Sequence, residues 1–179
     1  MVKTPVKIIM CLVLAVALGG ASHAPPDPER GKADGACRRD EPGPALIVNV
    51  VGLKDRQGYL KLEAYPPNER DFLQYDDILI AQKKVFRRSE IDLSIEAGVN
   101  LCIRLPVPGN FAISLLHDRD RNRKFNLASD GVGFGGNPKL GWSKPKAAAS
   151  SVLAGAGLTR INIVMNYRTG LLSFGPLAP

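Results

Sequence analysis

The sequence is poor in the residues on which most catalytic and nucleic-acid-binding sites depend. Aromatic residues make up 6% of its 179 residues, and only two histidines and three cysteines are present. It contains no C-x-x-C pair, no G-x-S-x-G elbow and no glycine-rich loop ending in Lys-Ser or Lys-Thr. Thioredoxin-like redox chemistry, α/β-hydrolase chemistry and P-loop nucleotide binding therefore have no support in the sequence.

The N-terminus has the three regions of a secretory signal. Two lysines give a positive start, residues 8–18 form an uncharged apolar run, and the small residues Ser22 and Ala24 follow. The apolar run is shorter than the ~20 residues that a spanning helix needs. We predict that residues 1–24 are a signal peptide cleaved after Ala24, which sends the chain to the periplasm or outside the cell. The alternative is an uncleaved anchor or a buried helix.

The charge balance is basic and limits the partners that we expect. The formal net charge is +7, and loss of the two lysines of the signal peptide leaves +5. Few aromatic residues are present to stack on bases, and export also argues against a nucleic-acid partner. Anionic lipid, lipopolysaccharide or polysaccharide fits the charge better, and the alternative is a solvated basic face. No later apolar run approaches a membrane span, so we expect the processed chain not to cross a membrane.

Two cysteines remain after cleavage, Cys37 and Cys102. In an oxidising compartment an even pair favours a disulfide. In the alternating run 99–104, Cys102 falls on the polar face together with Arg104, where an N-terminal segment can cover it. We predict a Cys37–Cys102 disulfide, and the alternative is two free buried thiols.

The remaining sequence predicts one all-β domain. Residues 25–44 are rich in Pro, Gly, Asp and Arg and are predicted to be a flexible lead-in. Residues 45–179 contain about seven short apolar runs, several of them alternating, separated by Gly, Pro and Asn turns, which indicates an antiparallel β-sandwich. Short helical turns are expected within residues 69–80 and 143–153. The glycine-rich segment 131–136 is predicted to be a turned loop rather than a phosphate cradle.

A long loop follows the strand that ends at His117 and holds the candidate ligands for a metal ion. Asp118, Asp120 and Asn122 have the D-x-D-x-N spacing of a calcium loop, and Asn126 lies further along. Arg123 stands where such loops carry a glycine, and the twelfth position lacks a bidentate glutamate. The alternative is that these side chains hydrogen-bond loop amides, pair with adjacent cations and fasten the loop. Calcium is the one cofactor that the sequence suggests.

His117 is the only histidine of the mature chain, which excludes a two-histidine zinc site. It could act in the active site of a hydrolase, together with a distant serine or carboxylate. Alternatively, it could form local hydrogen bonds at the end of its strand. Asp118, next to it in the strand, should point away from it. We take the loop from 117 to 146, with His117, Asp130 and Trp142, as the candidate binding loop.

Residues 109–122 carry a family resemblance. The strand Gly-Asn-Phe-Ala runs into His-Asp-Arg-Asp-Arg-Asn, which resembles the Gly-x-Tyr-Ala and His-Asp-x-Asn-x-Asn-Gly core of an uncharacterised family of exported bacterial proteins, domain of unknown function twenty-one forty-one. The resemblance extends over residues 45–174 and implies a signal peptide followed by a prealbumin-like β-sandwich, without an assigned activity. Arg123 replaces the family glycine and Asn126 a family aspartate, which implies a poorer ion site here.

We therefore expect an exported β-sandwich that acts as a non-catalytic binding or envelope-associated module. Its partner would be a polysaccharide or a protein of the cell envelope. The first alternative is a structural protein whose basic loops contact anionic surface polymers. The second is a hydrolase that uses His117.

Overall fold

The computed structural model describes residues 33–93, 99–141, 143–171 and 173–177. The predicted signal peptide and Trp142 lie outside these residues. Within them, no helix is long and apolar enough to cross a membrane. These described residues form ten strands, one α-helix and a 3-10 helix at Ala148–Ser150. The bounds are β1 (Ala45–Val51), β2 (Tyr59–Tyr65), α1 (Asp76–Ala81), β3 (Arg87–Asp92), β4 (Asn100–Arg104), β5 (Gly109–Asp118), β6 (Gly131–Phe134), β7 (Ser151–Ala154), β8 (Leu158–Val164), β9 (Tyr167–Arg168) and β10 (Phe174–Gly175).

The strands form the all-β sandwich that the sequence predicts. The larger sheet has the order β3-β2-β5-β6, with β7 also paired to β5, and the smaller sheet has the order β4-β1-β8. Strands β9 and β10 form a separate pair. The pairings between these strands are antiparallel, except that β1 and β8 are parallel. The prealbumin-like topology stays a prediction.

The core lies between the inner faces of the two sheets. Alternate residues of β2 and β5 point inward, so that Leu60, Leu62, Ile113 and Leu115 are fully buried. They pack against apolar side chains of β1, β4 and β8, which include Leu46, Val48, Leu101, Ile103 and Ile163. Burying each such side chain stabilises the fold by about 1.5–3 kcal/mol.

A second, smaller core covers part of the outer face of the larger sheet. The segment between β2 and β3, which includes α1, folds back over Tyr65. Its Phe72 and Phe86 rings meet Tyr65 edge-on at centroid distances of 5.7 and 5.2 Å, and Leu79 of α1 is fully buried there. This layer does not cover the rest of the outer face of the larger sheet.

The N-terminal segment connects the edges of the two sheets. Asp34 pairs with Arg88 at the edge of the larger sheet, and Ala36 pairs with Ile103 at the edge of the smaller one. Cys37 and Cys102 form the predicted disulfide, with their Cα atoms 5.5 Å apart. The segment thus covers the polar side of β4 on which the cysteine prediction depended.

The glycine-rich segment corrects one expectation, because residues 131–134 form strand β6 rather than a loop. Gly131 and Gly133 alternate toward the smaller sheet, where a Cβ atom would lie 2.1 Å from the Tyr167 ring and 2.4 Å from Ile163. The glycines therefore allow a close approach that a side chain would block. Val132 also pairs with Asn166, so β6 joins the two sheets at this edge.

Candidate functional site

The loop between β5 and β6 is fastened to the domain by its arginines. Arg119, Arg121 and Arg123 alternate along the loop, and each guanidinium reaches a carboxylate outside it. The pairs are Arg119–Asp55 at 2.6 Å, Arg121–Asp92 at 2.9 Å and Arg123–Glu90 at 3.0 Å. The basic run that the sequence suggests as a surface for anionic polymers is thus largely paired within the domain.

The loop aspartates bind backbone amides instead of these arginines. Asp118 accepts the amide hydrogens of Asn122 and Arg123 at 3.2 and 2.6 Å. Asp130, which is also buried, accepts those of Arg119 and Asn126 at 3.1 and 2.8 Å. The expected hydrogen bonds from loop amides to the aspartates are therefore present. The adjacent arginines, in contrast, pair with carboxylates outside the loop.

The candidate metal ligands lie close together. Carboxylate oxygens of Asp118, Asp120 and Asp130 lie within 4.8 Å of one another. The side-chain oxygens of Asn122 and Asn126 instead accept hydrogen bonds from the amides of Lys124 at 2.7 Å and Ala128 at 3.0 Å. The two asparagines thus stabilise local turns, and calcium binding by the loop stays a prediction.

Arg123 takes over the backbone role of the glycine that it replaces. Its φ angle is 65°, in the left-handed region that non-glycine residues rarely adopt. Its amide reaches Asp118, and its side chain both pairs with Glu90 and lies over the Tyr59 ring at 5.9 Å. These contacts hold the turn in a conformation that costs roughly 1 kcal/mol for a residue with a Cβ atom.

His117 is completely buried, and both of its ring nitrogens are bonded. Nε2 lies 2.8 Å from the carbonyl oxygen of Gln57, and Nδ1 lies 2.7 Å from the hydroxyl of Tyr167. Because a carbonyl can only accept, Nε2 carries the proton and Nδ1 accepts from the hydroxyl. The Tyr167 oxygen in turn accepts the amide hydrogen of Lys54 at 3.2 Å.

This network keeps the histidine neutral. Burial lowers the pKa of His117, against the opposing effects of the Gln57 carbonyl and of Asp55, whose carboxylate lies 3.9 Å from Nε2. Burial also raises the pKa of Tyr167 to about 12, so the hydroxyl keeps its proton. The geometry gives His117 the local hydrogen-bonding role at the end of its strand, with Asp118 on the opposite face of β5.

A cleft of about 1100 Å³ lies on the outer face of the larger sheet, beside the small core around Tyr65. Its floor consists of outward-pointing side chains from all four strands, arranged in two rows by the register. One row is Lys61, Leu116 and Val132, and the other is Arg88, Glu63, Ser114 and Phe134. Glu90 of β3 continues the first row beyond the residues that line the cleft. The cleft walls come from the segment before α1, the β5–β6 loop, the segment after β6 and the C-terminal pair of strands.

One side of the floor is charged and tightly bonded. Glu63 is buried, and its carboxylate accepts two hydrogen bonds from Arg88, at 2.8 and 2.9 Å, and one from the Tyr65 hydroxyl at 2.7 Å. Arg88 also pairs with Asp76 at 3.0 Å. Among the residues that the structure describes, the ammonium of Lys61 reaches the Glu63 oxygen alone, at 3.5 Å, and its side chain is only 13% exposed.

The other side of the floor is apolar. Leu116 and Val132 lie side by side on β5 and β6, and Leu140 stands beside them in the cleft wall. Phe125 and Phe174 meet edge-on at 6.2 Å and connect the β5–β6 loop with the C-terminal strands at the rim. The cleft therefore changes from charged to apolar across the sheet.

This cleft is not among the features that the sequence predicts. His117 and Asp130 of the candidate binding loop are buried and do not line it, whereas Gly141 and Ser143, the neighbours of Trp142, do. The sequence feature that points to a covered outer face is the run 111–117, which is almost continuously apolar. Such a run indicates a strand that is covered on both faces, rather than one with a solvent-facing side.

One comparison with known proteins gives a match. No curated protein and no solved structure matches the chain. The family model of DUF2141, described as "uncharacterized protein conserved in bacteria", matches residues 48–162. This stretch includes the strands of the cleft floor and the His117 loop, and it is well over half of the chain. The chain therefore belongs to the DUF2141 family of uncharacterized proteins conserved in bacteria.

Proposed function

We propose that the protein is a non-catalytic binding module that takes a small molecule in the cleft on the outer face of the larger sheet. The observation that carries this proposal is the cleft itself, with a volume of about 1100 Å³ and a floor that is half charged and half apolar. Binding sites for small molecules are concave, largely apolar and equipped with a few placed polar groups. This cleft combines those properties.

The position of the cleft supports a preformed site. Its floor lies on paired strands, which hold side chains more precisely than loops do. Its walls are loops that are themselves fixed, by the arginine pairs of the β5–β6 loop and by the small core around Tyr65. A ligand would thus meet side chains that are already ordered, which lowers the entropy cost of binding.

The buried histidine favours binding over catalysis. Both nitrogens of His117 are occupied by Tyr167 and Gln57, and the residue does not line the cleft. The carboxylate of Glu63 on the cleft floor is held by Arg88 and Tyr65. A general base needs a free lone pair within reach of its substrate. His117 offers none, and both oxygens of Glu63 already accept hydrogen bonds.

We also infer that the module works outside the cytoplasm after removal of residues 1–24. The disulfide between Cys37 and Cys102 is typical of oxidising compartments, and the basic start and apolar run of the N-terminus are typical of a signal peptide. Mass spectrometry of the exported protein should give Pro25 as the first residue. A chain that keeps residues 1–24 in the cytosol would contradict this inference.

A neutral solvatochromic dye tests the binding proposal. Nile red should bind the folded protein with a blue-shifted emission, and Phe125→Ser should weaken this binding because Phe125 forms part of the apolar rim. Leu158→Ser is the matched control, since both side chains are 49% exposed but Leu158 lies outside the cleft. Absence of binding, or equal loss in both variants, would overturn the proposal.

A further inference from the structure

The charges of the cleft define the kind of ligand that it suits. Its lining contains six basic side chains and two acidic ones, which leaves an excess of four positive charges. Glu63 and Asp76, the two acids, are both engaged by Arg88. The cleft therefore attracts anions and offers no unpaired acid to a cation.

Lys61 is the group that an anion would meet on the floor. An ammonium has three N–H donors, and within the described part of the chain the Nζ atom of Lys61 has one partner, Glu63 Oε1 at 3.5 Å. That oxygen already accepts from Arg88 at 2.8 and 2.9 Å. Because this ammonium is largely buried and its partner is distant, a second, closer acceptor would stabilise it.

The apolar half of the cleft lies next to this ammonium. In the register of the sheet, Leu116 is the direct neighbour of Lys61, and Val132 is the direct neighbour of Leu116. A molecule with its charged end at Lys61 would thus extend across β5 and β6 toward Leu140. Its chain would cover the half-buried Val132 and Leu140 and the small part of Leu116 that is still exposed.

We propose, building on the binding function above, that the ligand is a long-chain carboxylate. Its carboxylate accepts hydrogen bonds from Lys61, and its hydrocarbon chain lies along Leu116 and Val132. One underused ammonium offers one positive charge, which matches a singly charged carboxylate better than a phosphate dianion.

Competition for dansylated undecanoic acid tests the proposal on the full chain. Lauric acid and lauryl alcohol have the same chain and differ in charge, so lauric acid should displace the probe at about tenfold lower concentration. Lys61→Met should remove this preference while leaving the affinity for the alcohol unchanged. Lys139→Met, an exposed lysine outside the cleft, is the control and should keep the preference.

The outcomes separate this proposal from the binding function itself. Equal displacement by acid and alcohol would overturn the carboxylate proposal and leave an apolar binding cleft. Failure of the probe and both competitors to bind would count against both. Displacement by dilauroyl phosphatidylglycerol below its micellar concentration, in preference to lauric acid, would assign the cleft to a phospholipid and overturn the proposal.

Salt gives a readout that needs no variant and therefore holds even if Lys61→Met does not fold. The affinity of the wild-type protein for lauric acid should fall as sodium chloride is raised, because the ion pair at Lys61 is partly screened. The affinity for lauryl alcohol should not fall. An equal response of the two ligands to salt would contradict a contact with Lys61.

Discussion

The hydroxyl of Tyr167 lies 2.7 Å from Nδ1 of His117 and thereby connects the short strand β9 to the end of β5. It also accepts the amide hydrogen of Lys54 at 3.2 Å, so one oxygen satisfies both the buried ring nitrogen and a backbone amide. Both residues are almost fully buried, and their rings meet edge-on at 5.8 Å. The contact fixes the end of β5, from which the loop between β5 and β6 begins.

Removal of this hydroxyl should destabilise the domain. Tyr167→Phe leaves Nδ1 of His117 and the Lys54 amide without partners, which should lower the free energy of unfolding by about 1–3 kcal/mol. Urea denaturation followed by circular dichroism measures the change. Tyr75→Phe is the matched control, because Tyr75 is 76% exposed and its change should stay within about 0.5 kcal/mol. Equal stability of the two variants would show that the network contributes nothing.

The buried histidine should make stability depend on pH. Because burial lowers the pKa of His117 in the folded state, the unfolded chain takes up the proton first as the pH falls. The stabilising contribution of the neutral ring is therefore complete above the ordinary pKa of 6.5 and declines below it, by at most about 1.4 kcal/mol per pH unit, until the folded pKa is reached.

A single variant assigns this pH dependence, because His117 is the only histidine left after residues 1–24 are removed. Urea denaturation between pH 7.5 and pH 5 (roughly the range that surrounds the ordinary histidine pKa) should show a slope in the wild-type protein that His117→Gln reduces. If the slope persists in His117→Gln, another group must take up the proton.

The parts of the fold that depend on local pattern could be predicted from the sequence. Strand β2 is one of the alternating runs, over Tyr59–Tyr65, and β5 is the strand that the sequence predicts before the long loop. Both helical turns occur in the predicted segments, at Asp76–Ala81 and Ala148–Ser150. These elements are determined by side-chain period and turn residues close in sequence.

The parts that depend on distant contacts could not be predicted. Strand β6 has low intrinsic β-propensity because two of its four residues are glycine. The reason for these glycines is the close approach of Tyr167 to Gly131 and of Ile163 to Gly133, both distant in sequence. The cleft needs the register that brings Lys61 next to Leu116. No local pattern contains this information, since register is set by the packing of the whole sheet.

The close approach of β6 to Tyr167 can be tested by adding one methyl group. Gly131→Ala should lower the free energy of unfolding by about 1–3 kcal/mol, because its Cβ atom would lie 2.1 Å from the Tyr167 ring and force it aside. Gly141→Ala is the control, since no atom lies within 4 Å of a Cβ at that position. Thermal melting compares the two, and an equally stable Gly131→Ala would mean that β6 lies further from β9.

The disulfide should stabilise the sandwich through the N-terminal segment. Cys37 and Cys102 are separated by 65 residues, and loss of the crosslink frees the unfolded chain. The double variant Cys37→Ser/Cys102→Ser should therefore lose about 2–4 kcal/mol of stability. Reduction of the wild-type protein should cause a similar loss and should not affect the double variant. If reduction leaves the melting temperature of the wild type unchanged, the crosslink does not stabilise the domain.

Calcium should have little effect on the loop after β5. Calcium is held by about six to eight oxygen ligands, and Asp118 and Asp130 already use both of their carboxylate oxygens to hold loop amides. We therefore expect millimolar calcium to leave the melting temperature nearly unchanged. A rise of several degrees that Asp120→Ala abolishes would contradict this expectation, because a ligand that binds only the folded state must stabilise it. Asp77→Ala is the control, since Asp77 is exposed on α1 and lies outside the carboxylate cluster.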